Sequence, residues 1–177
     1  MKKNTLALVL ALTLLVAGVV GGTLAWLTDQ TAEVKNTFTV GDINIGLTET
    51  TADYKMVPGN TIAKDPTVTV KANSEACWLF VKVTESTDLK DFITYAIAEG
   101  WTALPGVDGV YYREVPASAT DQTFSVLADD AVTVKSDVTR TMLETAKTDA
   151  PTLTFKAYAI QKDHFATADA AWAEVSK

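Results

Sequence analysis

The sequence predicts an all-β protein, a two-sheet β-sandwich with one or two short accessory helices, and three observations point there. Thr and Val recur along the body of the chain. Short runs of period two are separated by Gly, Pro, Asn and Asp clusters, the pattern of a sandwich or a barrel. No longer period repeats and no low-complexity linker divides the chain, which leaves one domain from about Thr37 to Lys177. The 177 residues, 47% of them apolar, suffice for a sizeable core.

The first 25 residues stand apart from that body. Lys2 and Lys3 precede an uncharged stretch that runs to Thr28 and is nearly all Leu, Ala and Val from Leu6 to Val20. Gly18, Gly21 and Gly22 then interrupt helix where a peptidase needs extended chain, and Thr23-Leu24-Ala25 ends in a small residue. This is the order of a secretory signal, and cleavage is expected between Ala25 and Trp26. The competing reading is a retained membrane helix, because about 20 apolar residues cross a bilayer. Cleavage removes Lys2 and Lys3, so the 152 residues from Trp26 to Lys177 carry a formal −9 in place of −7. Such an acidic balance argues against nucleic acid as a partner, since neutralising phosphates takes clustered Lys and Arg. It favours solubility outside the cell.

The strands follow in order. Ala32, Val34, Phe38 and Val40 occupy even positions while Glu33, Lys35, Thr37 and Thr39 occupy odd ones, a strand with one apolar face. After Gly41-Asp42 the apolar set moves to odd positions, Ile43, Ile45 and Leu47, so the chain bulges or begins a second strand at Gly41. Val68 and Val70 alternate with Thr67, Thr69 and Lys71 beyond a loop holding Val57-Pro58-Gly59 and Asp65-Pro66. Trp78 to Val83 is apolar on both faces and reads as a central strand covered on both sides. Ile93 to Ala98, Val110 to Val115, Thr123 to Leu127, Val132 to Val138 and Leu153 to Gln161 complete a set of eight or nine strands. Two stretches have helical spacing instead: Met142, Leu143 and Ala146 within Thr139 to Lys147, and Ala168, Ala171, Trp172 and Val175 within Thr167 to Ser176.

The residue types that carry catalysis are sparse, and the expectation is no enzyme, no cofactor and no metal. His164 is the single histidine, so the paired imidazoles of a His-Glu-x-x-His zinc site are excluded. No Gly-x-Ser-x-Gly turn presents a serine to it, and no Gly-x-x-x-x-Gly-Lys loop cradles phosphate, so His164 reads as a surface loop residue. The acidic pairs Asp129-Asp130 and Asp88…Asp91 lack the spacing of a calcium loop. Cys77 is the single cysteine and lies in an apolar strand-like run, so it is expected to be buried and inert. Trp78, Trp101 and Trp172 are expected to serve packing.

Trp26 is different, because cleavage would make it the first residue, followed by Leu27 and the one-faced strand that begins at Ala32. A free apolar strand either pairs within its own sandwich or adds to the open sheet edge of a neighbour. Each buried large apolar side chain contributes roughly 1.5–3 kcal/mol and each main-chain hydrogen bond about 1 kcal/mol net, enough for a stable head-to-tail contact from a few pegs. Such a contact is heterologous and propagates into a filament.

Thr23-Leu24-Ala25-Trp26-Leu27-Thr28-Asp29 with Asn36-Thr37-Phe38-Thr39-Val40-Gly41 resembles the start of the TasA/camelysin family. The likeness continues through Val57-Pro58-Gly59, Lys64-Asp65-Pro66-Thr67-Val68-Thr69-Val70-Lys71 and Ala157-Tyr158-Ala159-Ile160-Gln161, with Phe165 and Ala171-Trp172 behind, and so spans nearly the whole chain. The resemblance implies a jelly-roll-like sandwich, released by a dedicated signal peptidase, secreted or held at a Gram-positive-type cell surface, that polymerises into biofilm matrix fibres. It also implies an organisation of signal peptide over residues 1–25, donor or assembly segment over 26–36 and sandwich domain over 37–177. The donor strand would run from Trp26 to about Thr39, with Trp26, Leu27, Ala32, Val34 and Phe38 as its assembly residues. The partners implied are further copies of the chain in a head-to-tail homopolymer and a minor matrix or anchor protein. Two alternatives belong to other classes: a cell-surface metallopeptidase of the camelysin kind, for which the sequence offers no recognisable ligands, and a monomeric surface adhesin. Glu174-Val175-Ser176-Lys177 carries no sortase motif, so attachment to the envelope is expected through assembly or partners.

Overall fold

The structure is a computed structural model and describes residues 42–50 and 54–177. All of these belong to one compact unit, Val40–Lys177. Expectations on the signal, on the Ala25/Trp26 cleavage point and on Leu27, Ala32, Val34 and Phe38 lie outside the described residues.

The described body is all-β and sandwich-like. Ten strands are present: β1 (Ile45–Thr48), β2 (Thr61–Ala63), β3 (Thr67–Val70), β4 (Cys77–Glu85), β5 (Ile93–Thr94), β6 (Thr102–Ala103), β7 (Val110–Val115), β8 (Gln122–Ser125), β9 (Ala131–Val134) and β10 (Leu153–Gln161). Three short helices accompany them, α1 (Leu89–Phe92), α2 (Arg140–Ala146) and α3 (Ala168–Val175). Pairing is antiparallel throughout and falls into three sheets, ordered β10-β4-β7-β6, β1-β3-β8 and β2-β9-β5.

The division into three where two sheets were expected has a local cause. Pro66 separates β2 from β3 and has no N–H to give a ladder, while opposite it Asp129 and Asp130 take left-handed φ values of 56° and 48° before β9. The two short sheets nevertheless run into each other. Lys64 N–H donates to the Asp130 carbonyl at 2.7 Å and Val126 N–H to the Pro66 carbonyl at 2.9 Å. Ala98 and Ala128 extend the β5 edge by bonding Val126 and Ala96. Together they make one broken layer facing the four-stranded sheet.

Between the layers, Val68, Val70 and Val126 pack on Cys77, Leu79 and Val81. On the other face of β4, Trp78 and Phe80 pack under α3, with Phe80 and Tyr158 rings 5.3 and 5.2 Å from Trp172. β4 is therefore buried on both sides, which is why its sequence lacks alternation. A third cluster seats Leu89, Phe92 and Ala146 of α1 and α2 on Val132 and Val134 of β9. Thr139 and Thr167 cap α2 and α3 by accepting from Met142 N–H and Ala170 N–H, each at 3.3 Å. Among the described residues no helix is long and apolar enough to cross a membrane.

Candidate functional site

The two long sides of the sandwich differ. On the side of β8 and β7 the seam is plugged. The chain crosses from one layer to the other through Gly100 and Trp101, whose indole N–H donates to the Ser125 carbonyl at 2.8 Å. The Arg113 guanidinium lies 3.9 Å from the centre of the Phe124 ring and 5.4 Å from that of Trp101, closing the gap by cation–π stacking. Burial lowers the pKa of Arg113 from its ordinary value, and its Nε is enclosed with no hydrogen-bond partner.

On the opposite side β1 lies alongside β10 without pairing to it. Asn44, just ahead of β1, accepts from Lys71 N–H, so alternate residues Ile43, Ile45 and Leu47 turn their own N–H and C=O away from β3. At the two ends of β10, Thr152 accepts from Ser86 N–H and Lys162 donates to the Ala76 carbonyl. Even-numbered residues of β10 thus face β4, and Leu153, Phe155, Ala157, Ala159 and Gln161 turn their main chain toward β1. No described strand pairs with either edge. The two edges approach within 8 Å of each other between Cα atoms, and each carries a row of main-chain donors and acceptors that no described strand takes up.

Two cavities open at the two ends of this seam. One, of about 390 Å³, is lined by Ile43, Ala159, Ile160 and Phe165 with Gln161 and His164 at its mouth. The other, of about 290 Å³, lies among Leu47, Glu49, Pro66, Leu153 and Phe155. The core-facing residues of β10 read large at the second end, Leu153 and Phe155, and small at the first, Ala157 and Ala159. Leu47 is one of the two large apolar side chains exposed in the described body, at 37%.

Charge marks one end. Lys64, 7% exposed, pairs with Glu49 at 2.6 Å and lies over the rings of Tyr54 and Phe155, 4.6 and 5.4 Å from their centres. Tyr54 donates its hydroxyl to the same Glu49 carboxylate at 2.8 Å, and burial together with that carboxylate raises the phenol pKa. Asp65 accepts from Thr50 N–H at 2.9 Å and from the Thr50 hydroxyl, which holds its carboxyl below the usual range. The network ties the end of β1 to the break between β2 and β3.

The residues singled out for chemistry do not converge. His164 is exposed in a 3-10 turn, Lys162–His164, beside the cavity at one end of the seam. Asp88 and Asp91 lie at α1, and Asp129 and Asp130 in the turn before β9. Among the described residues no group of three or more His, Cys, Asp or Glu side chains is placed to hold a metal ion. Cys77 is fully buried, and burial pushes its thiol up to about 11. A cavity of about 490 Å³ opens beside Glu85, Tyr95, Tyr111 and Lys135, where Tyr95 donates to Glu85 at 2.5 Å. The sequence reading missed the acceptor-like edge and the buried Lys64, since neither follows from periodicity.

No protein-family model, curated protein or solved structure matches the chain.

Proposed function

We propose that this chain is an exported structural subunit that polymerises head to tail, the N-terminal segment of one copy, Trp26 to about Thr39, adding as a strand to the sandwich of the next. The observation that carries the reading is that β1 and β10, the two sheet edges on one long side of the sandwich, are paired by no described strand and leave their main-chain groups open to an added one. A segment with alternating Ala32, Val34, Phe38 and Val40 has the periodicity that an open sheet edge accepts. The family resemblance supports the same reading. On that resemblance the product would belong to the extracellular matrix or the cell surface as a biofilm fibre protein, after cutting at Ala25/Trp26 by a dedicated signal peptidase, with a minor matrix or anchor protein as a further partner.

The test is electron microscopy of residues 26–177 beside residues 37–177, both checked for folding by circular dichroism. Filaments from the longer chain alone are expected. Two folded monomers, or filaments from both, would overturn the reading.

A further inference from the structure

We infer that two adjoining cavities around the hydrogen-bonded Tyr95 and Glu85 form one binding site for an acidic carbohydrate, a short run of pyranose rings that carry carboxylates. The inference goes beyond the proposed strand addition and does not depend on it.

The site exists because β4 outruns its neighbour β7. Their ladder closes at Lys82 opposite Val110, yet β4 continues to Glu85. Val83 N–H donates to the Gly109 carbonyl at 2.7 Å, and Gly109, at a φ of 70°, comes so close that a Cβ there would meet the Val83 carbonyl oxygen at 2.4 Å. The chain turns away at this point and leaves a cavity of about 370 Å³ between the end of β4 and residues 108–111. The cavity of about 490 Å³ shares Glu85, Tyr95 and Tyr111 with it, so the two open side by side. Each has the size of a small-ligand site.

Five charged side chains line these walls, Lys82, Lys90, Lys135, Glu85 and Asp108, and none forms an ion pair among the described residues. The described residues hold ten lysines, and five of them are ion-paired. Of the other five, three line this site, and a fourth, Lys156, stands directly opposite Lys82 in the ladder of β10 with β4. Like charges opposed on neighbouring strands repel, so an anion laid beside them relieves a cost the free protein bears. The concentration of unpaired cations is notable in a chain whose formal charge is −7.

The remaining groups define the rest of the ligand. Tyr95 donates its hydroxyl to Glu85 at 2.5 Å, and burial, reinforced by that carboxylate, raises the phenol pKa. The proton therefore stays on Tyr95, and Glu85 is left as an acceptor for further donors. Lysine ammonium groups only donate. Ile93, Ile97 and the tyrosines supply apolar surface between the two kinds of charge. A lipid chain would cover the charges without pairing them. A simple inorganic anion would satisfy the lysines and bring no donor to Glu85. A carboxylated pyranose brings all three parts: hydroxyls that donate to Glu85 and Asp108, an anion for the lysines, and a C–H face for the apolar wall.

Calorimetric titration of protein purified from cells expressing the full chain tests this, with a galacturonate tetrasaccharide as the acidic probe and a galactose tetrasaccharide as the neutral one. Saturable binding of the acidic probe that weakens with salt is expected, and binding of the neutral probe about tenfold weaker. Lys90→Gln with Lys135→Gln, checked for folding by circular dichroism, should weaken the acidic probe by a similar factor and leave the neutral one unchanged. Lys55→Gln with Lys147→Gln, which removes the same charge elsewhere, should change neither. Folded protein that binds neither probe at millimolar concentration would overturn the site. Equal affinity for the neutral probe or for a glutamate tetrapeptide would overturn the ligand class. Equal loss in both lysine variants would overturn the location, by reducing the effect to net charge. Filaments play no part in the readout, so a failure of strand addition leaves this result standing.

Discussion

Arg113 stacks on Phe124 and Trp101 with its Nε enclosed and unbonded, so its worth depends on the flat, weakly hydrated guanidinium lying over both rings. Arg113→Lys is therefore expected to lower stability by about 1 kcal/mol in urea unfolding, and Arg113→Met by less, because methionine fills the same space without a charge to desolvate. Cys77 has the opposite character. Its thiol, fully buried and pushed up to about 11, should react with a thiol reagent at neutral pH only as fast as the protein unfolds, and labelling that is immediate in native buffer would contradict the packing. At this scale the sequence was readable where a residue's neighbours in the chain set its fate. Cys77 sits in an apolar run and was expected inside. Lys64 sits in a polar loop, and only the approach of Glu49, Tyr54 and Phe155 makes it a buried cation.

Elements held together by side chains give a pH dependence. Asp121 accepts from Ala72 N–H at 2.8 Å and pairs with Lys71 at 3.0 Å, joining the end of β3 to the loop before β8. Those bonds, the backbone one foremost, hold its carboxyl below the ordinary range. A depressed carboxyl pKa contributes stability that is present above about pH 4, the unfolded value, and is lost as pH falls through the folded one. Asp121→Asn should then unfold more easily than wild type at pH 7 and match it near pH 2, measured by thermal melts. Element identity was legible wherever periodicity had room to show. Val110–Val115 and Leu153–Gln161 match their expected spans at both ends, and Thr139 and Thr167 mark the helix starts by capping. β2, β6 and α1 escaped, since two to four residues establish no period and these elements exist because of what lies next to them. The third sheet escaped for a related reason: the break needs Pro66 and the left-handed Asp129-Asp130 turn opposite each other, more than 60 positions apart in the chain.

For the whole molecule, strand addition predicts that Val34→Asp with Phe38→Asp leaves a folded monomer by circular dichroism that forms no filaments. Filaments of wild-type length from that variant would refute it. The exported product should begin at Trp26 by N-terminal sequencing, and a membrane-held product retaining Met1 would refute the signal reading. The meeting of the two unpaired edges could not be read in advance, because β1 and β10 lie more than 100 residues apart in the chain. The segment proposed to add there, Trp26 to about Thr39, is marked in the sequence only by its alternation.

The unequal seams set the connectivity of whatever the subunits build. On the proposed assembly, with one long side plugged by Trp101 and Arg113 and the edges of β1 and β10 unpaired on the other, each subunit would offer one acceptor side and one N-terminal donor segment. A monomer with one of each is bifunctional in the polymer chemist's sense: on the proposed assembly it yields linear, polar threads with one vacant socket and one unused plug at opposite tips, and it cannot branch. Cross-linking such threads into a gel is then a task for lateral adhesion or a second protein, and a subunit lacking its first 36 residues would act as a chain terminator, seated at one tip and unable to pass growth on.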